Sequence, residues 1–131
     1  MRLAWNALII KNNKILLLKR SNYTPSFPWY WTVPWGRQDA GEIAKQTVIR
    51  EVKEETNLDF VPTKLFQTSV TENSWEQIHS HRFLWEFSWE VKIQEEEADD
   101  YGWFTYEESK KLDMAFDYRE VLDKLREEKY I

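Results

Sequence analysis

Glu51, Glu54 and Glu55 stand at i, i+3 and i+4, so a helix through them gathers three carboxylates on one face. Like charges at that spacing repel by roughly a few tenths of a kcal/mol per pair. A helix accepts the cost most readily with a cation among the carboxylates. Hard oxygen ligands of this kind suit Mg²⁺ or Mn²⁺. The same stretch, Gly36 to Leu58, sets Gly36 and Glu42 upstream and Arg50 directly before the first of the three acids. A merely solvated helix face would need neither the glycine nor the acid at those distances. Six fixed positions at about 5–8% usage each recur by chance on the order of 10⁻⁷ per window.

Such residues need a helix and a loop to hold them. Ile43 to Thr56 carries Ala44, Val48 and Val52 at i, i+4 and i+8, with Ile49 beside them. That pattern predicts a core-facing stripe flanked by the carboxylates. Arg2 to Ile10 and Lys14 to Lys19 are apolar-rich around Lys11-Asn12-Asn13, which reads as a hairpin or two sequential strands. Ser21 to Pro28 reads as a loop, and Trp31 to Val33 as a short strand feeding the Gly36 turn. Phe60 to Glu72 and His79 to Lys92 follow as long strands, the second alternating Phe83, Trp85, Phe87, Trp89 and Val91 with mostly polar neighbours. Trp103 and Phe104 close a last short strand. Thr105 to Glu108 then forms a capping box for a helix. Asp117 is expected to cap a terminal helix reaching about Lys129, with Val121, Leu122 and Leu125 inward. Helices before and after a mixed sheet predict an α+β chain, an αβα sandwich built as one domain over residues 1–131.

Composition narrows the setting. The 131 residues are 42% hydrophobic and include no cysteine, so disulfide frameworks and thiolate metal sites are excluded. That agrees with a reducing, cytoplasmic location. No apolar run approaches a membrane span, and Met1-Arg2-Leu3 opens no signal peptide. A net charge of −5 argues against general affinity for a nucleic-acid polymer, though a bound metal reverses local charge and still admits a nucleotide.

The spacing of Gly36, Glu42, Arg50, Glu51, Val52, Glu54, Glu55 and Leu58 resembles the box of the Nudix hydrolases. Those enzymes cleave nucleoside diphosphates linked to another group. Two positions depart from the usual form. Asn57 stands where the family commonly has glycine, and Trp35 replaces the first glycine of Pro-Gly-Gly. Asparagine is the next best left-handed helix cap, so the backbone need is still met. The resemblance implies a metal-dependent pyrophosphohydrolase on a Nudix-type sandwich, and it makes a homodimer an expectation. It implies Glu51, Glu54, Glu55 and the carbonyl of Gly36 as ligands to Mg²⁺ or Mn²⁺, with Arg50 orienting the carboxylates and Glu42 paired to Arg50. For the general base two candidates stand, Glu54 in the box and Glu97 in Glu95-Glu96-Glu97, six residues before Trp103.

Substrate contacts are read from cations and aromatics near the box. Arg20 at the end of the second strand and Arg37 after the loop glycine are candidate phosphate or base contacts. Phe27 to Trp35 is dense in aromatics, of which Trp29 and Trp35 are the stacking candidates and Trp31 is assigned to packing. A stacked base contributes roughly 1–3 kcal/mol. His79 and His81 receive no role. Phe116-Asp117 stands where MutT-like relatives that read a damaged guanine carry asparagine, and the tail from Ala115 to Leu122 resembles that of diadenosine polyphosphate hydrolases. Pro62 stands too early for the proline that ADP-ribose hydrolases carry past the box, so the preferred substrate is a nucleoside triphosphate or dinucleoside polyphosphate. The alternative is a Nudix-fold binding or regulatory module without turnover, against which the intact glutamates count.

Overall fold

The structure, a computed structural model, describes residues 2–23, 27–38, 43–56, 59–62, 64–72, 77–86 and 100–131. β1 (Arg2–Lys11) and β2 (Lys14–Lys19) form a hairpin that pairs Lys11 with Lys14. Asn12 and Asn13 make the turn at φ 51° and 61°. Asparagine tolerates that left-handed backbone, and the mirror-type turn matches the strand twist. The two strands then part. β2 runs on to pair with β3 (Trp31–Thr32) and β7 (Asp100–Phe104), while β4 (Trp35–Arg37) takes the vacated edge of β1, setting Trp5 opposite Gly36. On its other side β1 lies parallel to β6 (Gln77–Glu86), which pairs antiparallel with β5 (Lys64–Glu72). The sheet is therefore mixed, in the order β3-β2-β1-β6-β5.

Apart from Asn6, β1 is apolar from Leu3 to Ile10 because both its faces are covered. Trp5, Ala7 and Ile9 point to a core shared with Leu16, Leu18, Phe60, Phe83 and α1 (Ala44–Thr56). Leu8 and Ile10 point the other way, into a core closed by α3 (Tyr118–Glu127) through Tyr118, Val121, Leu122 and Leu125. That is the expected αβα sandwich. The capping box also forms, with the Glu108 amide donating to the Thr105 hydroxyl and the Thr105 amide to the Glu108 carboxylate at the start of α2 (Tyr106–Ser109). No helix of the described residues is long and apolar enough to cross a membrane.

Several expectations need correction. Ile49 is 38% exposed, because the buried stripe of α1 runs through Thr47, Val48, Val52 and Thr56 instead. The two threonines enter the core by donating their hydroxyls to the carbonyls four residues back, Thr47 to Ile43 and Thr56 to Val52. Asp117 occupies the N-cap position of α3 but makes no side-chain cap, its carboxylate being turned to Arg82. The fifth strand starts at Lys64, past the expected Phe60, and the sixth at Gln77, ahead of the expected His79; the expected strand residues Phe87 to Lys92 lie outside the described residues.

Candidate active site

α1 brings the acidic residues together around a cation of the chain's own. Arg50 Nη1 donates to Glu51 Oε1 at 2.9 Å and lies 3.6 Å from Glu54 Oε1. The two carboxylates thus flank one positive nitrogen, which relieves the repulsion that helical spacing imposes on them. Both pairs are partly exposed, with Arg50 at 45% and Glu54 at 55%, so they stabilise the fold by at most about 1 kcal/mol each. The backbone of Glu55 belongs to the same helix, while its side chain, Glu42, Asn57, Leu58 and Glu97 lie outside the described residues. Among the described residues no three acidic or imidazole groups converge. The donors that do converge, Glu51 and Glu54, are hard anionic oxygens, and their chemistry fits Mg²⁺ or Mn²⁺.

Gly36 lies beside this helix, on β4. Where a turn was expected, it sits in the short strand β4, paired to Trp5. A Cβ built on it would stand 2.8 Å from the Trp5 indole, which is fully buried. Glycine is required there for space. Gly36→Ala is expected to cost roughly 1–3 kcal/mol through overpacking, read from urea unfolding. In a Trp5→Leu background the added cost of Gly36→Ala should shrink. An unchanged midpoint in the single variant would show that the indole yields freely.

β4 also divides two surfaces. Gly36 faces Trp5 and the α1 side, whereas its neighbour Trp35 faces the α3 side and lines a recess with Ala4, Asn6, Ser80, Arg82, Phe116, Asp117 and Tyr118. Arg20, half-buried, stands at the mouth of this recess, 5.7 Å from the Trp35 ring centre and 5.1 Å from that of Phe116. Burial draws the Arg20 guanidinium below the ordinary arginine value, and nearby Tyr118 offsets part of the shift. The group keeps its charge all the same. Phe116 holds φ at 51°, an uncommon backbone for a bulky residue, and packs against Phe27, Trp35 and Tyr118.

Beneath the aromatics, Arg82 Nη2 donates to both carboxylate oxygens of Asp117 at 2.8 Å. The Arg82 side chain is 2% exposed. Tyr118 is buried beside them and hydrogen-bonds Thr32, and burial pushes its hydroxyl well above the usual tyrosine range, so it stays protonated. Of the four expected substrate contacts, Arg20 and Trp35 come together here. Trp29 stands half-exposed under Lys19 Nζ, which lies 5.4 Å from its ring centre, and Arg37 is exposed on β4. Trp31 packs edge-on against Phe104, as expected of a packing residue. Sequence reasoning missed Asn6, Ser80 and Arg82. The one legible sign was a lone asparagine inside the apolar run from Leu3 to Ile10.

A mixed sheet between two helical layers, with an acidic helix face beside a glycine-bearing edge strand, defines the Nudix architecture. The NUDIX domain model matches residues 1–125, so this chain belongs to that family. It is 44% identical over 55 residues to an ADP-ribose pyrophosphatase of Methanocaldococcus jannaschii; the match covers 42% of this chain and 31% of that protein. Among solved structures it is similar to a MutT protein from Methanosarcina mazei Go1, with a TM-score of 0.85, 26% identity, and 98% of this chain and 95% of that one covered. It is also similar to a bifunctional NMN adenylyltransferase/ADP ribose pyrophosphatase from Francisella tularensis complexed with AMP and a Mn ion. There the TM-score is 0.76 at 25% identity, covering 97% of this chain and 41% of that one.

Proposed function

We propose that this chain is a single-domain, cytoplasmic, metal-dependent hydrolase. It cleaves the pyrophosphate linkage of a nucleoside diphosphate joined to another group, such as a nucleoside triphosphate or a dinucleoside polyphosphate. The observation that carries the reading is the pair of carboxylates, Glu51 and Glu54, held about one cationic nitrogen on α1. Glu51 and Glu54, with Glu55 and the carbonyl of Gly36, would hold Mg²⁺ or Mn²⁺. When bound, such an ion neutralises phosphoryl oxygens and lowers the pKa of water. The similar F. tularensis structure, which contains AMP and Mn, supports that ligand class. The relative from M. jannaschii adds ADP-ribose to the substrates worth testing.

Glu54 or Glu97 takes the proton of the attacking water, and Arg50 keeps the box carboxylates aligned. The ligand lies along β4, its base in the recess beside Trp35 and Arg20 and its phosphates extending toward the α1 carboxylates within reach of Arg37, whose side chain shares the Trp35 face of the strand. Trp29 forms an outer aromatic surface at that end.

The test is hydrolysis with Mg²⁺ in ¹⁸O-labelled water, using nucleoside triphosphates, dinucleoside polyphosphates and ADP-ribose. The expected result is label in one phosphorus-containing product, abolished by chelation. Metal-dependent binding of these compounds with no product would replace the hydrolase by a binding module.

A further inference from the structure

Asn6 is 2% exposed, in the middle of the otherwise apolar strand β1, and its Oδ1 has no hydrogen-bond partner. An unsatisfied buried amide oxygen costs roughly 1–3 kcal/mol, which a leucine or valine at the same place would avoid. Asn6 lies between Trp35 on β4 and Arg82 on β6 and lines the recess floor between them. Two of its polar neighbours there are engaged elsewhere: the Asp117 carboxylate is turned to Arg82, and the Tyr118 side chain bonds Thr32. The recess holds about 50 Å³. That accommodates a few waters or the edge of a planar ring, and no whole nucleoside. Trp35 and Phe116 stand at its rim, with the Arg20 guanidinium over both.

We infer that Asn6 determines base specificity, its Oδ1 accepting a hydrogen bond from an exocyclic amino group on the edge of the substrate base. The inference rests on the reading that the recess receives the base of a nucleotide. It favours a base that presents an amino group at that edge, such as adenine, over hypoxanthine held in the same orientation, whose keto oxygen would face Oδ1 lone pair to lone pair. A pocket built to accept from a donor rejects the analogue lacking it, because the buried acceptor is then left unpaired.

The test compares adenosine 5′-monophosphate with inosine 5′-monophosphate by NMR, following the Asn6 side-chain amide. The same pair of bases is then compared as triphosphates in steady-state turnover. Adenosine monophosphate is expected to shift the Asn6 resonances and to bind about 10-fold or more tightly than the inosine form. Turnover should show the same preference, carried mainly by KM. Asn6→Leu should bring the two bases within about twofold of each other, leave the melting temperature unchanged or raised, and spare kcat. A structural role alone would lower the melting temperature and leave base preference as it was. Equal affinity, a preference for the keto base, or a preference that survives Asn6→Leu would each overturn the assignment. Adenosine-selective binding without hydrolysis would sink the hydrolase reading and leave this one standing. Hydrolysis indifferent to the base would do the reverse.

Discussion

Glu54→Gln is expected to lower kcat by about 10²–10⁴-fold while leaving the protein folded, the range associated with losing a positioned proton acceptor. The side chain is more than half exposed, and its one described ion pair, to Arg50, is a 3.6 Å surface contact. Removing its charge therefore costs at most about 1 kcal/mol of stability. Glutamine keeps the shape and one oxygen but cannot take a proton from water. Single-turnover kinetics with Mg²⁺, beside a thermal melt of the same preparation, separate chemistry from folding. Mn²⁺ binding followed by electron paramagnetic resonance separates the two roles proposed for this residue. A weakened metal site with an undiminished chemical step at saturating metal would make Glu54 a ligand only. Glu97→Gln run in parallel should then carry the large loss. Unaltered hydrolysis in Glu54→Gln would remove the residue from the mechanism.

Asp117→Asn should destabilise the protein by about 3–5 kcal/mol, the usual cost of leaving a buried charge without its counter-ion. Arg82 is the reason. Its side chain is 2% exposed between β1 and the start of α3, and both oxygens of Asp117 take its Nη2 hydrogens. Asparagine offers one neutral oxygen and an amino group where the guanidinium needs anionic acceptors. For a chain of 131 residues the melting temperature should drop on the order of 10–20 °C. The double variant Arg82→Met/Asp117→Leu should recover most of the loss, since an apolar pair of similar bulk avoids the desolvation cost of both ions. That non-additivity identifies a coupled pair. A loss below about 1 kcal/mol in Asp117→Asn would show that water or another group compensates Arg82.

The acidic face of α1 was legible because it is local. Residues three and four apart on a helix are neighbours whatever the rest of the chain does, so Glu51 and Glu54 were bound to meet once a helix formed. The capping box at Thr105 and Glu108 and the Asn12-Asn13 hairpin turn are local in the same way, satisfied within a few residues. The two-sided burial of β1 was legible in its run of apolar residues. Ile49 went astray because stripe assignment by hydrophobicity ignored threonines, which become core residues once their hydroxyls bond to the preceding turn. Asp117 went astray because a good cap residue has a better use beside a buried arginine 35 positions away.

By itself, the sequence determined the helix that gathers the carboxylates, the strands that support it and the chemistry those oxygens suit. The tertiary structure decided the rest of the candidate site. The β1–β6 and β1–β4 registers set Asn6 between Arg82 and Trp35, and Trp5 against Gly36. The glycine is there for space, and the asparagine is left as an acceptor in search of a donor. Hydrogen-bond reach along one helix depends only on spacing. The floor of a recess depends on which strands pair and in what register, and that is set by how both faces of the sheet bury their apolar residues together.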